Sequence, residues 1–566
     1  MSSWERWRCE YPVTVQDHVV SMPLPAIGSH SSEAAKLTRG QGMSNFLGID
    51  SSTQSMTGLV VDTDRGEIVA ETSVNFDEHY SGLYNVTNGV IELGDGQVHS
   101  APLMWAEALE RLCRQLRDVG VDLSSIRAVA GSGQQHGTVY LNGSAEAALK
   151  GLDAGRDLAV QLDGVFSRAT APIWMDTSTG EQCRQIEAGV GGREALLQLT
   201  GNTAFERFSG PQIRRFWQTE PQAWERTASV CLVSSFVSSL LAGRLVPVDA
   251  GDGSGTNLMD IRTRSWSQAA LDATAPDLAD RLLPVIDADS VVGPIHAFWV
   301  DRYGFAPDCQ VLPFSGDNPS SLLGLGLVQT GQVALSLGTS DTLFACMDEA
   351  RVSTTGEGAL FASPDGSHFM ALICFLNGSL AREAVRDHHG LDWDAFTRAL
   401  AETPPGNHGR IMLPWFAAEI VPHVPDPGVI RCNLEVDDVA GNVRAVIEAQ
   451  ALSSKIHSEW MGVAIRSLSV TGGASANRNI LQIFADVHGC PVQPFETTNA
   501  AALGGALRAA HAHTRASGRQ TDWRDTVAPF TTPPAELRIE PDPANRAVYD
   551  SLLETYGTIE NTNTVR

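Results

Sequence analysis

Asn45-Phe-Leu-Gly-Ile-Asp-Ser-Ser-Thr-Gln-Ser-Met-Thr-Gly-Leu-Val-Val-Asp62 is the stretch whose reading decides the fold. An apolar strand ends in Asp50, hydroxyl residues from Ser51 to Ser55 make a bend, and Met56 to Val61 run back as a second strand. Hydroxyls and backbone N–H groups at such a bend can wrap a phosphate, and a carboxylate at the strand end can hold a hydrated Mg²⁺ beside it. Taken singly, the stretch reads more readily as an ordinary hairpin with a polar turn.

A second copy changes that balance. Gln332-Val-Ala-Leu-Ser-Leu-Gly-Thr-Ser-Asp-Thr-Leu-Phe-Ala-Cys-Met347 again runs an apolar strand into Gly338, Thr339 and Ser340 and leaves through another apolar strand. Two phosphate-type hairpins far apart in the chain imply a duplicated module, one per domain, with a nucleotide in the cleft between them. The duplication resembles the superfamily of sugar kinases, actin and the heat-shock chaperone ATPases. That resemblance implies an α/β, two-domain actin-like (ribonuclease H-like) fold with a nucleotide and sugar cleft between the lobes.

Composition is compatible with this. A chain of 566 residues with 43% hydrophobic content can bury two cores. A formal net charge of −26 disfavours nucleic acid or an anionic membrane as partner, because either would repel the protein. Nine scattered cysteines without a C-x-x-C pair fit a reduced, cytoplasmic protein with no zinc knuckle. No apolar run approaches the roughly 18 residues of a membrane span. Residues 1–44 are expected to be a weakly ordered extension, and Met43, directly before the first strand, is a candidate alternative start.

Further along, Glu67 to Phe76 reads as a third strand, Ala101 to Leu116 as an amphipathic helix, and Ile126 to Ala130 as a buried strand leading into Gly131-Ser-Gly-Gln-Gln-His-Gly137. This is not a dinucleotide fingerprint. His136 occupies the position that needs a small residue, and a strand-like run follows where a helix should begin. Gln135 and His136 at a strand end are instead candidates to hydrogen-bond a polyol. Ser144 to Arg168 reads as a surface insertion. Trp174 and Asp176 are expected to share one face of a strand, an aromatic plate beside a carboxylate that suits a sugar. Asp249 and Asp260 do not make a Ca²⁺ loop, since the third ligand and the invariant glycine are missing.

Val311 to Pro319 places Asp317 and Asn318 side by side at a strand end, ahead of a helical run from Ser320. Gly472-Gly-Ala-Ser-Ala-Asn-Arg478 opens a helix, with Ser475 a candidate N-cap, and suits close approach of a nucleotide. Asn499 to Ala512 is an Ala- and Gly-rich helix. Gln520 to Asp542 reads as linker and Asn545 to Tyr556 as a last helix. The expected organisation is an N-terminal domain over 45–328, a C-terminal domain over 329–515, and a linker with its helix over 516–566.

The motifs Gly48-Ile-Asp50, Gln134-Gln-His-Gly137, Trp174-Met-Asp176, Ser315-Gly-Asp-Asn318, Ser336-Leu-Gly-Thr-Ser340 and Thr471-Gly-Gly-Ala474 resemble the FGGY carbohydrate kinases, in an order and spacing most similar to the xylulose-phosphorylating branch. The resemblance implies ATP-dependent phosphorylation of D-xylulose at its 5-hydroxyl, in a monomer or homodimer. Asp317 would be the general base, and His136, Arg207, Asp317 and Asn318, with Gln135, Trp174 and Asp176, would bind the sugar. Asp50 would organise Mg²⁺. Thr53, Gly338 and Thr339 would face the phosphates, and Trp393, Gly473, Ala474 and Asn477 would hold the nucleotide. Ser178 stands where many members carry arginine. Ribulose, ribitol or xylitol remain alternative acceptors, and a non-catalytic nucleotide-binding protein resembling actin or the chaperones remains the alternative outside the kinase class.

Overall fold

The computed structural model describes residues 44–495 and 499–564, so the expected N-terminal extension lies outside the described residues except for Ser44. Strand β1 (Asn45–Ser51) pairs antiparallel with β2 (Ser55–Asp62), β2 pairs antiparallel with β3 (Glu67–Asn75), and β4 (Ile126–Gly133) lies parallel on the other side of β1. Short strands β5 (Gly293–Pro294), β6 (Gln310–Val311) and β7 (Ser315–Gly316) complete this seven-stranded sheet, with β6 and β7 both parallel to β4.

The second sheet comprises β8 (Gln332–Leu337), β9 (Asp341–Met347), β10 (Ala359–Ala362), β11 (Phe369–Phe375), β12 (Ser467–Thr471) and β13 (Val492–Pro494), in the order β10-β11-β9-β8-β12-β13. Here β8 pairs antiparallel with β9, β9 antiparallel with β11, and β8 parallel with β12. These are the pairings of β1, β2, β3 and β4 repeated. The duplication inferred from two hairpins therefore extends to a four-strand module in each lobe.

Helices fill the faces. The first lobe holds α1 (Pro102–Asp118) and α2 (Asp317–Gly324), the second α3 (Trp393–Glu402) and α4 (Arg478–His488), followed by α5 (Ala500–Ala516) and α6 (Arg546–Asn563). Strand β1 is buried throughout because both its faces are covered. Leu47 and Ile49 join Met104, Leu109 and Leu112 of α1 in one core, while Phe46 joins Ala502, Ala506 and Leu507 of α5 in another. That alternation is the two-residue period of a strand. Gly48 faces α5 so closely that a Cβ there would lie 1.8 Å from the Ala502 carbonyl oxygen, which only glycine tolerates. Helix α6 returns to the second lobe, burying Tyr549, Leu552 and Tyr556 in its core.

Several expectations are corrected by long-range packing. Helix α5, inside the expected C-terminal domain over 329–515, reaches across to the first lobe, where Gly505 meets Gly131 of β4, Gly504 meets Ser320 of α2 and Ala502 meets Gly48 of β1. Residues 144–168 are no separate surface unit: Leu149, Leu158, Leu162 and Val165 belong to the first core, and the Leu158 N–H donates to the buried Glu110 carboxylate at 2.7 Å. The 520–542 linker contains a helix, Trp523–Thr531, and Trp523 stacks on His511 with centroids 3.8 Å apart. The strand expected around 174–176 ends at Pro172. The N-cap of α4 is Asn477, whose side chain accepts from the N–H groups of Asn479 and Ile480, rather than Ser475. Among the described residues no helix is long and apolar enough to cross a membrane.

Candidate active site

The C-terminal ends of β1, β4 and β7 converge. Parallel register sets Asp50 beside Ser132, and Ser132 and Gly133 beside Ser315 and Gly316, so the residues following each strand enter one place. From β1 comes Asp50, from the turn after β4 come Gln134, Gln135 and His136, and from the start of α2 come Asp317 and Asn318.

Ser132 Oγ donates to Asp50 Oδ1 at 2.7 Å. Burial, reinforced by the neighbouring charge of Asp317, pushes the Asp50 carboxyl up to about 7 against that hydrogen bond. Burial also lifts Asp317, to about 6, while backbone N–H groups of Asn318 and Gln135 hold it from rising further. The Asn318 N–H donates to Asp317 Oδ1 at 2.8 Å, and Asn318 Nδ2 donates to Gln135 Oε1 at 3.0 Å. A carboxylate held in one orientation, with its pKa just below neutrality, is suited to accept a proton from an alcohol.

His136 adopts a left-handed backbone (φ 72°), stacks on Phe208 with centroids 4.3 Å apart, and places Nδ1 2.6 Å from the Gly255 carbonyl oxygen. A carbonyl only accepts, so Nδ1 carries the proton. Burial holds the ring neutral, pushing its pKa down to about 3. Nε2 is therefore a hydrogen-bond acceptor.

Gln135, His136, Phe208, Asp317 and Asn318 line a cavity of about 630 Å³ together with Thr53, Trp174, Arg193, Phe205 and Arg207, with Asp50 just outside its lining; the volume is within the range of small-molecule sites. Two sequence-predicted residues fall elsewhere than expected. Asp176 is fully buried outside the cavity, its carboxylate taken by the N–H groups of Val98 and Ser178, the Ser178 hydroxyl and Gln212 Nε2. It shapes the loop that presents Trp174. Thr53, assigned to the phosphates, sits on this side of the cleft, accepting from Trp174 Nε1 at 2.8 Å and donating to Gln134 at 3.3 Å.

A second cavity, of about 700 Å³, lies on the other lobe, and Gly338, Thr339, Trp393, Gly473, Ala474 and Asn477 all line it. Gly338 and Thr339 form the β8–β9 turn. Gly472 has φ +88°, and a Cβ there would lie 2.5 Å from the Leu337 carbonyl oxygen, so glycine is required where the second loop meets the first. Asn477 Nδ2 donates to Thr397 Oγ1 of α3 at 2.9 Å, fixing the cap of α4 against the helix that begins with Trp393. Arg386 lies 4.5 Å above the Trp393 ring.

Sequence reasoning missed Arg382. It is fully buried, pairs in a fork with both oxygens of Asp341 at 2.9 and 3.0 Å, and donates to the Gly338 carbonyl at 3.1 Å. This ion pair locks the phosphate-type turn from behind. On the sequence it is one arginine within an amphipathic helix, and nothing local marks it as buried.

A duplicated hairpin sheet with two cavities, one beside a strand-end carboxylate and one around glycine turns, is the architecture of an actin-like phosphotransferase acting on an alcohol. The chain belongs to the FGGY family of carbohydrate kinases: the family's N-terminal domain matches residues 169–324 and its C-terminal domain residues 333–513. It is 41% identical over 523 residues to the xylulose kinase of Mus musculus, covering 91% of this chain and 93% of that one. It is 40% identical over 487 residues to xylulose kinase 2 of Arabidopsis thaliana, covering 82% and 87%. The crystal structure of xylulose kinase from Rhodospirillum rubrum superposes with a TM-score of 0.76 at 20% identity, covering 92% of this chain and 98% of that one, a likeness of fold.

Proposed function

We propose that this protein transfers the γ-phosphoryl group of ATP to the 5-hydroxyl of D-xylulose. The single observation that carries the chemistry is Asp317, a half-buried carboxylate that takes the Asn318 N–H at 2.8 Å and lines a cavity with His136 and Asn318. The sugar assignment rests on the full-length similarity to proteins named xylulose kinase. In this reading Asp317 accepts the proton of the 5-hydroxyl as the oxygen attacks phosphorus, help typically worth about 10²–10⁴-fold. Gln135 Nε2 and Arg207 donate to sugar oxygens, while Asn318 Oδ1 and His136 Nε2 accept from hydroxyls, since both Asn318 amide hydrogens go to Gln135 and Asp317.

Asp50 fits an Mg²⁺ site: two carboxylates buried close enough to raise the pKa of one of them form a donor set that a hard cation would relieve. When bound, the ion supplies charge neutralisation to the triphosphate. The three lysines, Lys36, Lys150 and Lys455, lie in neither hairpin, so backbone N–H groups of the β8–β9 turn and the Gly473–Ala474 loop take the role a P-loop lysine plays elsewhere. Trp393 lies against the nucleotide base. The cavity around Asp317 also argues against a purely conformational ATPase, which needs no such pocket.

A coupled ADP-release assay over a panel of ketopentoses and alditols tests the proposal and separates D-xylulose from ribulose, ribitol and xylitol. Turnover on D-xylulose well above the ATPase background is expected. No turnover above background on any of them would end the sugar-kinase reading.

A further inference from the structure

The sugar-binding set implied by the family resemblance comes entirely from the first lobe, yet the cavity around Asp317 has a second wall. Residues 355–358 of the C-terminal lobe line it, and several contacts lay that segment across the cleft. Gly356, at φ +72°, rests so near the first lobe that a Cβ would lie 3.0 Å from Thr203 and 3.2 Å from Arg193. Immediately after it, the outer edge of β10 is clipped by the first lobe: Asn202 Nδ2 donates to the Leu360 carbonyl at 2.8 Å, Asn202 Oδ1 accepts from the Leu360 N–H at 3.2 Å, and Ser254 Oγ accepts from the Ala362 N–H at 3.1 Å. An edge strand covered in this way has a fixed position.

Within this segment Glu357 is held with care. Its Oε2 accepts from Thr355 Oγ1 at 2.9 Å and lies 3.4 Å from His457 Nδ1, and the His423 N–H also donates to the carboxylate. His457 in turn places Nε2 2.9 Å from Glu560 Oε2, in the last turns of α6. Glu357 is thus oriented through a histidine clamped between two acids, and its side chain is still one-fifth exposed, at 20%. A carboxylate has about four acceptor sites, and three donors are accounted for. Glu357 is also one of the residues that line the cavity.

We propose that Glu357 accepts a hydrogen bond from a sugar hydroxyl distant from the transferred phosphoryl group, with His457 and Glu560 as positioning residues, so that the C-terminal lobe reads the sugar as well as the nucleotide. The inference rests on the sugar-kinase reading above. A carboxylate opposite the incoming phosphoryl would repel it, which assigns Glu357 to the far end of the substrate. Burial pushes the Glu357 carboxyl up, but its hydrogen bond to His457 and that residue's charge bring it below its ordinary value, so it is an acceptor at neutral pH.

The test compares the full-length wild type with Glu357→Gln, His457→Gln and the double variant, measuring KM for D-xylulose and for ATP separately. Loss of a hydrogen bond to a charged group predicts a rise of roughly tenfold or more in the sugar KM of Glu357→Gln, with the ATP KM unchanged. The double variant is expected to be no worse than the poorer single one, because both act on one contact. Thr355→Val, which removes one orienting hydroxyl and leaves the clamped histidine in place, should shift the sugar KM in the same direction by about threefold. Deoxyketopentoses give the decisive comparison: wild type should lose affinity for the analogue lacking the contacted hydroxyl, and Glu357→Gln should not distinguish it from the parent sugar. An unchanged sugar KM in both Glu357→Gln and Thr355→Val, or an equal rise on every analogue, overturns the inference. A wild type that phosphorylates no ketopentose would instead overturn the sugar-kinase reading itself.

Discussion

Asp317→Asn keeps the shape of the side chain and removes its capacity to take a proton. With the carboxyl at about 6, the wild type is almost wholly ionised at pH 7.5 and available as a base. Its loss should lower kcat by about 10²–10⁴-fold, equivalent to roughly 3–5 kcal/mol of barrier. Binding should survive. The amide oxygen of asparagine can accept the Asn318 N–H bond now made by Oδ1 at 2.8 Å, leaving its NH₂ group to donate to the sugar oxygen, so the sugar Kd is expected to stay within several-fold. Stability should hold or improve, because the charge that helps push Asp50 up to about 7 is gone and a half-buried carboxylate no longer has to be desolvated. The assay combines ADP-coupled turnover with calorimetric sugar binding and a thermal melt. In the wild type, kcat should fall as pH drops through about 6, since protonation occupies the base, and the residual activity of the variant should lack that limb. A variant that melts normally and turns over within tenfold of wild type would refute Asp317 as the base. A variant that loses sugar binding by the same factor as kcat would reduce Asp317 to a binding residue.

Breaking the buried Arg382–Asp341 pair with Arg382→Met strands a carboxylate and releases the Gly338 carbonyl; a loss of about 3–5 kcal/mol in unfolding free energy is expected by chemical denaturation, with a raised KM for ATP and little change for the sugar in the folded fraction. Trp393→Ala should raise the ATP KM roughly tenfold, the scale of one base-stacking contact, and an unchanged ATP KM would place the nucleotide base elsewhere. His457 opposes the effect of its own burial: hydrogen bonds to Glu357 and Glu560, and their charges, raise it to about 9. A raised folded-state pKa contributes stability that is complete below about 6.5 and is lost as pH climbs through about 9. Melting curves from pH 6 to 10 should therefore show a decline, worth no more than about 3 kcal/mol, that is missing in His457→Gln.

The parts of this protein that are legible from sequence are those whose pattern is local. Each hairpin signals itself by apolar strands around a run of hydroxyls and glycines, and Asp50, Asp317, Gly338 and Gly473 all stand at or just past strand ends, where the chain leaves its sheet. Ser475 and Asn477 both satisfy the local rule for the α4 cap, and only the folded chain selects Asn477. The packing of α5 was legible only halfway: its glycines announce a close approach, but not to which lobe.

What the tertiary structure alone decided are the partners of long-range polar groups. Asp176 and Glu357 are both acids beside small residues, yet folding turns one inward to Val98, Ser178 and Gln212 and the other toward a cavity, held by His457. Arg382, a helix arginine like any other in the chain, becomes the buried counter-ion of a turn 41 positions away. Periodicity and turn chemistry act over a few residues and so fix strands, bends and the strand-end carboxylates. Burial and charge pairing depend on which surfaces meet, so the walls of the cleft and the clamps behind them exist only once distant segments of the chain have packed together.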